Sequence, residues 1–244
     1  MKSDDRFSFA QLTADSALIH KNSEDVLAAT RINSTDYRSC VLAAIYSKMI
    51  TGYSAIQLLC SSNFGVEGEI VCRSICEALF YMGMCALSED SYKQYMNNDL
   101  HGLRKLRNKL AKNDSNHYSK SLRKELENIF KENETQLESI PTEELKVKQA
   151  SEITKLEVFY DYPYHLLSKA IHSSASYIFS NYIRHSGAEI NGVCVGPNPN
   201  RSNDALFGST LIMLQAYKIF CDHMDIPLKA DMLAFHVKYA RYSQ

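Results

Sequence analysis

The sequence contains no tryptophan, only 5 prolines and 9 glycines in 244 residues, and no excess of charge of either sign. So little glycine and proline argues against a turn-rich all-β fold, and a content of 45% apolar and 23% charged residues argues against disorder. With 27 lysines and arginines against 28 aspartates and glutamates, the chain is neither basic nor acidic throughout, so any nucleic-acid surface has to be local. The seven cysteines (40, 60, 72, 76, 85, 194 and 221) include no C-x-x-C and no zinc-type pairing with histidine, which reads as reduced thiols in a cytoplasmic protein. The first residues, MKSDDRFSFA, carry acids where an export signal needs a basic start and an apolar run. The longest uncharged apolar stretch, residues 78–87, is about half of the roughly 20 residues of a bilayer span, so no membrane association is expected. Also missing are a G-x-S-x-G elbow, a phosphate loop, a dinucleotide fingerprint and H-E-x-x-H. Neither a metal nor a cofactor is expected.

What is present is helical periodicity. Residues 9–30 and 37–60 carry apolar side chains at spacings of three and four, and Ser61, Ser62 and Asn63 read as the cap of a third helix over 64–87. A polar section over 88–157 reads as two or three helices, with Leu100, Leu103, Leu106 and Leu110 on one inward face and Pro141 as a helix start. A strongly apolar helix is expected over 160–184, followed by a breaker region in which Asn191-Gly192 suggests the turn of a small hairpin. Helices resume over 205–223 and 228–242. The expectation is an all-α bundle of seven or eight helices with a β-hairpin or irregular loop near 187–200. It forms a single domain over 1–244 with a core at about 37–225.

The third helix is apolar on nearly every side, so its polar exceptions stand out. Arg73, Glu77 and Tyr81 lie four residues apart and stack along one ridge. Unpaired burial of a guanidinium or a carboxylate costs several kcal/mol, so these groups need each other or polar partners from another helix. A second ridge supplies candidates, because Tyr160, Tyr164, Ser168 and His172 again fall four apart. Ser168 and His172 are expected semi-buried on the flank of their helix, with Glu77 and His172 within side-chain reach of each other. A cation, a carboxylate, a hydroxyl and an imidazole suffice for acid–base chemistry, and equally for a satisfied structural network.

The runs Val71-Cys-Arg-Ser-Ile-Cys-Glu77 and Tyr164-His-Leu-Leu-Ser-Lys-Ala-Ile-His172 resemble Arg-x3-Glu and Tyr-x3-Ser-x3-His motifs of the DUF5677 family, a domain of unknown function. The resemblance covers roughly 37–225 and implies a helical fold. It draws attention to Arg73, Glu77, Ser168 and His172 without assigning a reaction. Separately, Arg107-Asn-Lys-Leu-Ala-Lys112 is similar to the Arg-Asn-x3-His motif of HEPN-domain ribonucleases, but Lys112 stands where that motif has histidine. Residues 101–124 hold eight lysines or arginines and one acid, whereas 125–157 hold nine acids and four bases, which gives either an RNA-facing patch or two helices that neutralise each other. Two functions follow as expectations. One is a cytoplasmic bacterial effector of stress or phage defence that cleaves RNA without metal, with Arg73, Glu77, Ser168 and His172 catalytic and Tyr81, Tyr164 and Arg107 binding. The other is a non-catalytic interaction module in which the same network is structural. Helices that are apolar all round also suggest a homo-oligomer.

Overall fold

The computed structural model describes residues 7–112, 119–139, 143–172, 174–186, 189–194 and 196–240. Helices α1 (Phe9–Ala29), α2 (Tyr37–Ser61) and α3 (Gly65–Leu87) agree with the sequence reading to within a residue or two. Their starts are set locally: the Ser8 hydroxyl accepts the Gln11 N–H, and the Asp36 carboxylate accepts the Ser39 N–H. Asn63 does not cap α3 as expected. It sits in the left-handed region at φ 64° and ends α2, with the Phe64 N–H reaching back to the Leu59 carbonyl at 2.7 Å. Asparagine tolerates that backbone, so the polar triplet closes one helix instead of opening the next.

The polar section divides into α4 (Glu89–Lys112), α5 (Lys120–Glu132), α6 (Glu134–Ser139) and α7 (Val147–Ile153). Pro141 lies outside the described residues. The helix expected over 160–184 is broken. One turn of α8 (Glu157–Phe159) runs into a π-helical turn, Tyr160–Tyr164, then α9 (His165–Ile171), α10 (Ala175–Tyr182) and strand β1 (Ile183–Ser186). These breaks make the helical segments more numerous than the seven or eight expected. Strand β2 (Glu189–Val193) pairs antiparallel with β1, Ser186 opposite Glu189, so Asn191 and Gly192 lie inside a strand and not at the turn. A 3₁₀ turn (Pro199–Arg201), α11 (Ser202–His223) and α12 (Ala230–Ala240) complete the chain.

Helices α2, α3 and α11 pack on one another at the centre. Tyr46 of α2 stacks on Phe220 of α11 with ring centroids 4.5 Å apart, and the Tyr53 hydroxyl meets Thr210 at 2.9 Å. α3 starts hard against the first turn of α11: a Cβ on Gly65 would lie 2.3 Å from the Ser202 backbone nitrogen, so only glycine fits there. At its other end Arg38 donates from Nε to the Cys85 carbonyl at 2.6 Å and from Nη2 to the Ala86 carbonyl at 2.7 Å, satisfying carbonyls that a helix end leaves open. By length and composition α3 could cross a membrane, yet its apolar sides are those of a core helix covered by its neighbours. α12 is tied to α1 through Asp15, which accepts the Tyr239 hydroxyl at 2.7 Å and pairs with Lys238. All seven cysteines are free thiols.

Candidate functional site

Four residues of α3, Glu69, Arg73, Glu77 and Tyr81, form a polar ridge with the four-residue spacing of one helix face. Arg73 is its centre and is mostly covered, with 19% of its side chain exposed. Its Nε donates to Ser168 Oγ at 3.2 Å, its Nη2 donates to the Tyr164 hydroxyl at 2.7 Å, and its Nη1 lies 3.5 Å from a Glu77 carboxylate oxygen. The guanidinium carbon also stands 4.6 Å from the centroid of the Tyr164 ring, a cation–π distance. Two donors of the fork therefore bind hydroxyls of the segment packed on α3, while the third contact is a longer ion pair within α3 itself. The Tyr81 hydroxyl makes a long contact, 3.5 Å, with the other Glu77 oxygen.

The π turn is what brings Tyr164 and Ser168 to that cation. Pro163 has no N–H to give and would break a regular helix, but here the His165 N–H bonds to the Tyr160 carbonyl five residues back and the chain passes the proline without ending. Tyr160 and Tyr164 stack with centroids 5.1 Å apart, and Phe80 of α3 meets Tyr164 edge-on at 5.9 Å. Ser168 donates to the Tyr164 carbonyl at 2.7 Å, so its oxygen lone pairs face Arg73. Burial, then the negative charge of Glu77, raises the Tyr164 pKa against the opposing pull of Arg73, and burial followed by Glu77 raises that of Tyr81. Both hydroxyls stay protonated at neutral pH. A small cavity of about 200 Å³ adjoins the ridge and is lined by Glu77, Tyr81, Ser74 and Lys48 among others.

Of the residues read from sequence, Arg73, Glu77, Tyr81, Tyr164 and Ser168 meet in this cluster. His172 does not: it is exposed where α9 ends, and its ring shares no hydrogen bond or ion pair with Arg73 or Glu77 among the described residues. The semi-buried position expected for it fails because α9 stops one residue earlier. Arg107 sits half-buried on α4 and takes part in none of the cluster's hydrogen bonds or ion pairs among the described residues. Two neighbours in the basic run serve the fold, Arg104 donating from Nε to the Leu137 carbonyl at 3.1 Å and Lys105 pairing with Glu144. Among the described residues no three histidine, cysteine or acidic side chains converge to hold a metal ion.

A second polar group escaped the sequence reading. Glu69, 3% exposed, accepts the Tyr177 hydroxyl of α10 on one oxygen and binds Arg201 Nη2 at 2.7 Å on the other, while Arg201 Nη1 holds Asp204 at 2.9 Å. Burial, and then the bond to Glu69, raises the Tyr177 pKa. The one sequence signal was Glu69 itself, a charge on an apolar helix one turn before Arg73. Its partners lie more than a hundred residues away, so spacing gave no hint of them.

Compared with known families, residues 39–190 match the model of a family of unknown function, DUF5677. The chain belongs to the DUF5677 family. The match stops short of the position 225 expected from the motifs, and runs from the first turn of α2 to β2. Both halves of the Arg73 cluster therefore lie inside the DUF5677 span, whereas Arg201, the partner of Glu69, lies beyond it. Nothing in this match carries the likeness of residues 107–112 to HEPN ribonucleases. No curated protein and no solved structure matches the chain.

Proposed function

We propose that this DUF5677 protein is a non-catalytic helical interaction protein, in which Arg73 braces the 157–171 segment on α3 while the outer side of that segment receives a protein partner. One observation carries the reading. The Arg73 guanidinium is held by groups of the fold itself, Tyr164, Ser168 and Glu77, and the imidazole that acid–base chemistry would need beside it stands apart at the surface. The outward side of the same segment carries Val158, Tyr162 and Leu166 at four-residue intervals, all exposed, with Tyr162 at 60%. Large apolar side chains grouped at a surface are what protein contacts use. A second copy of the chain is the partner we assign, since a formal net charge of −1 opposes self-association little.

Metal-independent cleavage of RNA, in stress or phage defence, is supported by a different observation. Glu77 is 32% exposed and lines the 200 Å³ cavity, so a carboxylate beside an arginine could take the proton of a 2′-hydroxyl while the cation meets the phosphorane charge. One paired experiment separates the two readings: thermal unfolding, and incubation with a mixed RNA pool in EDTA, on wild type, Arg73→Lys, Glu77→Gln and His172→Ala. The interaction reading expects intact RNA throughout, a lowered melting temperature for Arg73→Lys and an unchanged one for His172→Ala. Cleavage by wild type that Arg73→Lys and Glu77→Gln abolish without loss of stability would overturn it in favour of the nuclease.

A further inference from the structure

The chain leaves a second cleft, lined by none of the Arg73 cluster residues and bordered by α8, α11 and α12, with a volume of about 410 Å³. That lies within the range of about 300 to 1,000 Å³ typical of small-molecule sites. Its walls are apolar and belong to the core: Leu156, Phe159, Leu214 and Tyr239 are all buried residues that each turn part of their surface to this opening. Among the described residues no acidic side chain lines it.

Two polar features converge on these walls. The Nε2 of His236 is buried and has no hydrogen-bond partner among the described residues, which is a costly state for a ring nitrogen unless a ligand or solvent completes it. Lys155 lines the same cleft, is exposed, and forms no ion pair among the described residues. Its backbone is unusual, because it occupies the left-handed region at φ 58° as the residue that closes α7, with the Leu156 N–H bonded to the Ser151 carbonyl at 2.9 Å. Glycine would close that helix without the roughly 1–2 kcal/mol a side chain costs in this conformation. What lysine adds is a cation at the edge of an apolar cleft. Lys218 and Asp222 of α11, the other charges near His236, pair with each other and offset one another.

We propose that this cleft binds a small amphipathic carboxylate, its apolar body lying against Leu156, Phe159, Leu214 and Tyr239 and its anionic head at Lys155, with His236 within the site. The chemistry selects an anion with a hydrocarbon or aryl body over a polyanion: most of the lining residues are apolar, the polar ones are Lys155, Gln215 and His236, and there is one unpaired cation among the described residues rather than several. The cleft shares Val158 with the exposed row assigned to a second copy, but neither Arg73 nor Tyr162 lines it, so Tyr162→Glu tests the dimer without touching the site.

The test is calorimetric titration of the full chain with octanoate and, as a neutral match of the same length, octanol. Two variants accompany it. Lys155→Asn removes the charge while keeping a residue that tolerates the left-handed backbone, and Val237→Trp fills the rim from a position 68% exposed, where the fold has little at stake. Octanoate is expected to bind wild type at least about tenfold more tightly than octanol, a difference of roughly 1.4 kcal/mol. Lys155→Asn should bring the two ligands to the same affinity, and Val237→Trp should abolish binding of both. Equal affinities in wild type, or octanoate binding untouched by Lys155→Asn, would overturn the assignment of the anionic head. Binding that survives Val237→Trp, or no heat from either ligand at millimolar concentration, would overturn the site.

Discussion

Arg73 uses three sides of its guanidinium on three residues, and the contacts are unequal. The bonds to the Tyr164 and Ser168 hydroxyls, 2.7 and 3.2 Å, are within hydrogen-bond range and part-buried, whereas the Glu77 contact is 3.5 Å long with a partner 32% exposed. Hydrogen bonds from a charged donor contribute about 1.5–3 kcal/mol each, and exposed ion pairs about 0–1. Urea unfolding should therefore show Arg73→Ala losing roughly 2–3 kcal/mol, Glu77→Gln less than about 1, and His172→Ala within about 0.5 of wild type. Equal losses for Arg73→Ala and Glu77→Gln would mean that the hydroxyl bonds depend on the pair within α3 to hold the guanidinium in place. Two histidines predict a pH dependence. Burial, and next the charge of Arg38, lowers the pKa of His223, whose Nε2 lies 3.0 Å from Ser39 Oγ; burial, and next Lys218, lowers that of His236. A histidine with a lower pKa in the folded state binds protons preferentially when unfolded, so its stabilisation is complete above the unfolded value of about 6.5 and declines as the pH falls through the folded one. The urea midpoint should be lower at about pH 5.5 than at about pH 7.5, and His223→Gln should flatten the difference; a midpoint that rises on acidification would contradict it.

At the scale of elements, the contacts around two glycines predict opposite signs. A Cβ on Gly65 would press on the backbone of Arg201 and Ser202, which cannot swing aside, whereas one on Gly102 in α4 would meet nothing within 4 Å. Gly65→Ala should destabilise by about 1–3 kcal/mol, and Gly102→Ala should stabilise by about 0.5–1, since alanine is the better helix former. Differential calorimetry of the two variants checks both signs. How far such elements can be read from sequence depends on the range of the forces that set them. α1, α2 and α3 were legible because their boundaries follow from apolar spacing and local caps such as Ser8 and Asp36. The hairpin was expected in the right region with the wrong turn, because Asn191-Gly192 carries a strong local preference that the pairing of Ile183 with Val193 overrides. In the cluster, Arg73, Glu77, Tyr164 and Ser168 were visible as polar exceptions on apolar helices. The group around Glu69 was not, since Arg201 lies in a proline- and asparagine-rich stretch whose placement beside α3 is a tertiary event.

For the whole molecule, the exposed row of Val158, Tyr162 and Leu166 predicts a dimer at micromolar concentration by light scattering. Tyr162→Glu should return it to a monomer with an unchanged melting temperature, because a residue 60% exposed contributes little to the fold. A wild type that stays monomeric would exclude the second copy as partner. The π turn at Tyr160–Tyr164 bears on how this chain can change over evolutionary time. It holds one residue more than a regular helix would need between Phe159, whose carbonyl takes the Cys76 thiol at 3.7 Å, and Ser168 on Arg73. Losing a single codon there would let the stretch relax into ordinary helix and rotate everything after it by about 100°, with a shift of about 1.5 Å along the axis. Ser168 would then face away from the cation. Exposed side chains such as Tyr162 can be exchanged without touching the Arg73 contacts, but the length of the stretch cannot change, and alignment gaps among related chains are expected on either side of it and not within.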